Sequence, residues 1–128
     1  MELIEKAIEG RKNAYVPYSN FMVGAAVLLK DGTIITGCNV ENASYGLSMC
    51  AERNTLFKMV SMGYRKEETV AMAVVGDTED PISPCGACRQ VMVELLNPNT
   101  KIYLANLQGK VKEMTLEELL PYSFKELK

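Results

Sequence analysis

The chain has 128 residues, a net charge of −2 at neutral pH and a pI near 5.2. That length suits one core burying about two thirds of the unfolded surface, not two substantial cores. No run of Lys or Arg reaches the density of a phosphate-tracking surface, which argues against nucleic acid as substrate.

Residues Glu2 to Asn13 set Leu3, Ile4, Ala7 and Ile8 at helical spacing among charges, predicting an amphipathic first helix that ends before Pro17. Val23 to Lys30 and Thr33 to Cys38 are β-rich runs joined by Asp31-Gly32, a hairpin signal, so two antiparallel strands are expected. Cys50 to Met62, closed by Gly63, reads as a helix, and Val70 to Val75 before Gly76-Asp77 as a buried strand. A third helix is predicted from Gly86 to Leu96, stopped by Asn97-Pro98. Lys101 to Ala105 and Val111 to Met114 flank a turn at Gln108-Gly109, and Thr115-Leu116-Glu117-Glu118 opens a short helix with a capping-box pattern. Strands and helices alternating after a hairpin imply a three-layer α/β/α sandwich with a mixed sheet of five strands, in one domain over residues 1–128. The longest apolar run, Val23 to Leu29, is far short of the roughly 20 residues that cross a bilayer, and the opening Glu-Leu-Ile-Glu-Lys is unlike a signal peptide. A cytoplasmic protein without a membrane partner is expected, and four cysteines fit a reducing compartment better than a disulfide framework.

The absence of histidine removes Ser-His and Cys-His nucleophiles and any His-ligated metal. Chemistry near neutral pH then falls to a carboxylate, a thiolate or water on a metal. The segments Cys50-Ala51-Glu52 and Pro84-Cys85-Gly86-Ala87-Cys88 offer that metal a site. Three thiolates bind Zn²⁺ at roughly 2.3 Å and leave a fourth tetrahedral position for water. Placed at helix N-termini, Cys50 and Cys85 would be favoured as thiolates by free N–H groups and the helix dipole. Three thiolates weaken the ion as a Lewis acid, and Arg53 is the candidate to draw that charge back, unless it makes only a surface ion pair. Glu52 stands beside the water position; alone it could be a simple dipole partner of its helix. Cys38 could complete a closed Cys₄ zinc, making a non-catalytic interaction module, but is more simply a buried thiol. Asn39-Val40-Glu41 follows a strand whose alternation, if the extended conformation persists, would send Asn39 and Glu41 to one side, where an amide and a carboxylate suit sugar hydroxyls, although such a block read alone is more often a polar loop. A carboxylate there would also disfavour a 5′-phosphate.

The Cys-Ala-Glu and Pro-Cys-x-x-Cys pair matches zinc deaminases in general, with the Glu as proton carrier rather than ligand. Together with Tyr15-Val16-Pro17-Tyr18-Ser19-Asn20-Phe21, Asn39-Val40-Glu41-Asn42-Ala43-Ser44-Tyr45 and Pro121-Tyr122-Ser123-Phe124, it resembles the small nucleoside-type cytidine deaminases over nearly the whole chain. That resemblance implies one Zn²⁺ per chain on Cys50, Cys85 and Cys88, proton transfer by Glu52, and Arg53 bonded to ligand sulfurs. It implies that Phe21 stacks on the pyrimidine, that Asn39 and Glu41 hold the ribose 3′-hydroxyl, and that Ala51 serves the base edge through its backbone. Ser83 and Pro84 would supply a carbonyl near the leaving amine, while Tyr45 and Phe124 would reach a neighbouring subunit's site in a homotetramer. The implied activity is hydrolytic deamination of cytidine and 2′-deoxycytidine in pyrimidine salvage. A cytosine-nucleoside antibiotic of the blasticidin type is the alternative substrate; Phe21 and the Asn39–Glu41 block favour an ordinary nucleoside.

Overall fold

Helix α1 (Glu2–Arg11) buries Leu3 and Ala7 and stops short of Asn13. The Lys12, Asn13 and Ala14 N–H groups bond three residues back, to Glu9, Gly10 and Arg11, so the last turn tightens and the α-helix closes early. In this computed structural model, which describes residues 1–127, strands β1 (Val23–Leu29) and β2 (Ile34–Cys38) form the expected hairpin. Their register runs from Leu28 opposite Ile34 to Gly24 opposite Cys38. At the turn, Gly32 takes φ 90° and the Asp31 carboxylate accepts the Thr33 N–H at 2.9 Å.

Helix α2 (Ala51–Ser61) leads to β3 (Thr69–Gly76), which pairs antiparallel with β1. Helix α3 (Gly86–Leu95) then crosses over to β4 (Lys101–Asn106), parallel to β3, and β5 (Val111–Met114) returns antiparallel to β4. The strand order is β2-β1-β3-β4-β5, the mixed five-stranded sheet the sequence implies. Helix α4 (Leu116–Leu119) carries the predicted capping box, with Thr115 and Glu118 exchanging side-chain and backbone hydrogen bonds.

Alternation along the strands divides the sheet into unlike faces. Ala26, Ala71, Ala73, Val75 and Ala105 pack with Leu3 and Ala7 of α1. These small side chains let the helix press onto the sheet: a Cβ added at Gly24 would stand 2.0 Å from the Ala7 carbonyl oxygen. The opposite face carries Val27, Leu29, Met72, Val74, Ile102 and Leu104 under Leu56 and Met59 of α2, Met92 of α3 and Leu116 and Leu119 of α4. Each fully buried side chain of this size contributes about 1.5–3 kcal/mol by leaving water, against the cost of ordering the chain. The thicker layer fixes α2 and α3 side by side, with the start of α3 reached from the end of β3 through the irregular residues 77–85.

Candidate active site

Cys50 and Cys85 occupy the residues immediately before α2 and α3, both in extended conformation. The packing of the two helices on one sheet face brings these starts together. Cys50 Sγ lies 4.0 Å from Cys85 Sγ, Cys85 Sγ lies 3.3 Å from Cys88 Sγ, and all three sulfurs fall within 4.8 Å of one another. Thiolates on a tetrahedral zinc at about 2.3 Å would sit roughly 3.8 Å apart, a spacing those distances bracket. The burial is graded: Cys88 is buried, Cys50 partly so and Cys85 exposed, as a site open on one side requires. Cys38 lies outside this group, in a separate hollow with Asn54 and Lys58, so the closed Cys₄ arrangement does not form among the described residues.

Charge is arranged around the sulfurs. Arg53, one turn into α2, donates from Nη2 to Cys50 Sγ at 3.5 Å. Its Nε is buried with no hydrogen-bond partner among the described residues. A guanidinium held there partly unsatisfied is costly unless anionic sulfur stands beside it. The hydrogen bond with Cys88, reinforced by Arg53, lowers the Cys50 thiol to about 5 although burial opposes it. Cys88 is pushed up, first by that same hydrogen bond and then by burial and the Glu52 charge. Glu52 is itself buried at 5% exposure, and that burial, followed by the Cys50 charge, raises its carboxyl above the ordinary range.

A cleft of about 340 Å³ opens on the cluster, lined by Phe21, Val23, Asn39, Cys50, Ala51, Glu52, Thr78, Ile82, Ser83 and Cys85. Gly76 makes room at its edge, because a Cβ there would meet Ile82 Cδ1 at 2.5 Å and Phe21 Cζ at 3.3 Å. Phe21, Asn39, Ala51 and Glu52 therefore share one cavity with two of the thiols. Asn39 borders it while its amide is already engaged: Oδ1 accepts the Val23 N–H at 2.9 Å and Nδ2 donates to the Phe21 carbonyl at 2.8 Å. Glu41 does not line this cleft. Its carboxylate accepts the Tyr18 and Ser19 N–H groups, each at 3.1 Å, and the Ser19 hydroxyl. Both side chains thus reach the segment that carries Phe21, and Ser19 Oγ in turn accepts the Phe21 N–H at 3.1 Å. Tyr45, in a short 3₁₀ turn, and Phe124, on the C-terminal segment, are exposed and stand away from the cleft in the single chain.

Three features escape sequence reasoning. Thr78 and Ile82 enter the cleft from an irregular loop without a motif. Ser19 ties Glu41 to Phe21. Arg89 spends its guanidinium on Pro84 O at 2.9 Å, Ser83 Oγ at 2.7 Å and Leu119 O at 2.8 Å. The Pro84 carbonyl is consequently occupied, and a short-range polar pattern could at most have flagged Ser19.

Comparison with known proteins agrees with this geometry. The family described as "Cytidine and deoxycytidylate deaminase zinc-binding region" matches residues 1–104. A curated cytidine deaminase of Halalkalibacterium halodurans is 61% identical over 122 residues, covering 95% of this chain and 91% of its own. The crystal structure of cytidine deaminase from Burkholderia pseudomallei superposes with a TM-score of 0.94 at 55% identity, covering 96% of this chain and 97% of that one. A blasticidin-S deaminase of Bacillus cereus is more distant, 30% identical over 131 residues, covering 97% of this chain and 91% of its own. A three-thiol cluster at two converging helix starts, a buried glutamate beside it and these likenesses over nearly the full length lead to one assignment: the chain belongs to the cytidine and deoxycytidylate deaminase zinc-binding family.

Proposed function

We propose that this protein hydrolyses cytidine and 2′-deoxycytidine to uridine and 2′-deoxyuridine with release of ammonia, a reaction of pyrimidine salvage. The observation that carries the reading is the single cleft in which Glu52, Phe21 and Asn39 face Cys50 and Cys85. Cys50, Cys85 and Cys88 would hold one Zn²⁺, which supplies the Lewis acidity that makes water a nucleophile near neutral pH. Glu52 takes a proton from the attacking water and passes it to the ring nitrogen beside C4; as the C4–N bond breaks it carries the proton of the new C4 hydroxyl to the amine, which departs as ammonia. Its burial keeps bulk water from short-circuiting that transfer. Phe21 offers a ring face to the pyrimidine, a contact worth about 1–3 kcal/mol, and Ala51 contributes backbone polar groups at the first turn of α2. Asn39 and Glu41 take the sugar side, with Glu41 acting from beneath the Tyr18–Phe21 segment. Arg53 withdraws electron density from the thiolates.

A homotetramer with shared sites belongs to the same reading. Tyr45 and Phe124 are 61% and 63% exposed in the single chain, free to reach a neighbour's cleft. A single catalytic domain over residues 1–128 is supported by the one sheet, whose two faces form cores with α1 on one side and α2, α3 and α4 on the other. The cytoplasm suits thiols that must stay reduced; among the described residues no helix is long and apolar enough to cross a membrane.

The test is to incubate zinc-loaded protein with cytidine and follow loss of its long-wavelength ultraviolet absorbance, with ammonia and uridine appearing in equal amounts. Product that vanishes on chelation and returns with zinc supports the reading. Folded, zinc-loaded protein that leaves cytidine intact but deaminates a blasticidin-type nucleoside would move the assignment to the antibiotic.

A further inference from the structure

We propose that Arg89 is a positioning residue for this reaction, setting the cleft wall formed by Ser83 and Cys85 and tying it to the C-terminal helix. The inference rests on the deaminase reading above. Ser83 and Pro84 belong to no helix or strand, so nothing in a regular hydrogen-bond ladder fixes them, while Cys85, which caps α3, accepts that helix's first backbone bond from the Arg89 N–H at 3.0 Å. One residue fixes Ser83 and Pro84 instead. The Arg89 side chain holds both: its Nε donates to Pro84 O at 2.9 Å and its Nη2 to Ser83 Oγ at 2.7 Å.

The remaining arm of the fork, Nη1, donates to Leu119 O at 2.8 Å, a carbonyl in the last turn of α4 that has no helical partner ahead of it. The neighbouring Gln90 donates from Nε2 to Phe124 O at 2.7 Å. Two successive residues of α3 therefore hold the C-terminal segment, and one of them also holds the cleft wall. All three side-chain acceptors of Arg89 are neutral oxygens, so the guanidinium serves by shape, a planar fork with fixed donor directions, more than by charge. A lysine at this position keeps the charge but has no such fork.

Phe21 and Asn39 line the same cleft, but the Asn39 side chain bonds the Phe21 carbonyl and the Val23 N–H rather than Arg89. Releasing the Ser83–Cys85 wall should therefore misalign the bound base against Glu52 while leaving most binding contacts in place. Displacements of about 1 Å at such distances cost on the order of 100-fold in rate.

The experiment compares wild type with Arg89→Lys, Arg89→Ala and Ser83→Ala, measuring kcat and KM for cytidine and zinc per chain. Arg89→Lys is expected to lower kcat about 10- to 100-fold with KM within about threefold and zinc still at one per chain. Ser83→Ala is expected to lower kcat by less, and to add nothing to Arg89→Lys in the double variant, because the bond it removes is already lost. If Arg89→Ala does not fold, the Lys and Ser83 variants decide. Full activity in Arg89→Lys overturns the proposal, as does a loss that merely tracks lost zinc or one confined to KM. Failure of wild type itself to convert cytidine would sink the deaminase reading rather than this one.

Discussion

Two helix starts meet at the cleft, and they are built from the same parts for different ends. Each opens on a cysteine in extended conformation, and each carries an arginine within its first turns. At α2 the arginine points to sulfur: Arg53 Nη2 reaches Cys50 Sγ, and the intervening Glu52 is sealed from solvent. At α3 the arginine points to the backbone and a hydroxyl: Arg89 reaches Pro84, Ser83 and Leu119. The α2 start concentrates charge and proton transfer, whereas the α3 start holds an irregular loop still. A cationic side chain beside a metal site can thus act on the electrons of the ligands or on the position of the walls, and its acceptor atoms tell which.

The sharpest way to break this comparison is Glu52→Gln. If the α2 start holds the proton carrier, kcat for cytidine should fall by about 10³-fold or more while zinc per chain is unchanged. Retained turnover would move the chemistry elsewhere. Arg53→Ala comes next: zinc affinity or activity should drop about 10- to 100-fold, read by competition with a chelator and by kcat. Normal zinc retention and rate would make Arg53 no more than a surface cation and erase the contrast with Arg89.

A smaller effect tests whether the two starts are insulated from the other side of the sheet. Gly24→Ala places a methyl against the Ala7 carbonyl and should cost about 1–3 kcal/mol of stability, measured by denaturant unfolding, with kcat little changed. A kcat loss comparable to that of Arg53→Ala would show that α1 steers the cleft. The mildest prediction concerns Glu41. The Ser19 hydroxyl, above all, and the Ser19 and Tyr18 N–H groups hold its carboxyl below the ordinary range against the pull of burial. Stability from this group is fully present above the unfolded carboxylate pKa and is lost as pH falls through the lower folded value. The gap in melting temperature between wild type and Glu41→Gln should therefore narrow on acidification, and a gap that widens would reject the ionised clamp.

Local chemistry made much of this protein legible in its sequence. Asp31-Gly32 specifies a turn because Gly accepts positive φ and Asp caps the next amide, and Thr115 with Glu118 specifies a helix start through two reciprocal bonds. The cysteine spacing was readable for a similar reason: Cys85 and Cys88 are one helical turn apart, and only their meeting with Cys50, 35 residues earlier, needs the fold. What stayed hidden depends on distant acceptors. The path from Ala14 to Met22 has no periodicity, and it is set by Glu41 and Asn39 from 18 to 23 residues away. Arg89 gives no signal beside Cys88, because one of its acceptors lies 30 residues further along the chain.

The unequal faces of the sheet also bear on how the sequence can drift. Along β3, Ala71 and Ala73 point to the pressed-in helix α1, while Met72 and Val74 point to the thicker layer under α2 and α3. Enlargement is penalised where backbone already lies a methyl's breadth away, and truncation where a void would open. Mutational tolerance from Ala71 to Val75 should therefore reverse at every step: in a saturation library, odd positions would shed bulky substitutions and even positions small ones, although these neighbours share the same strand and the same near-complete burial.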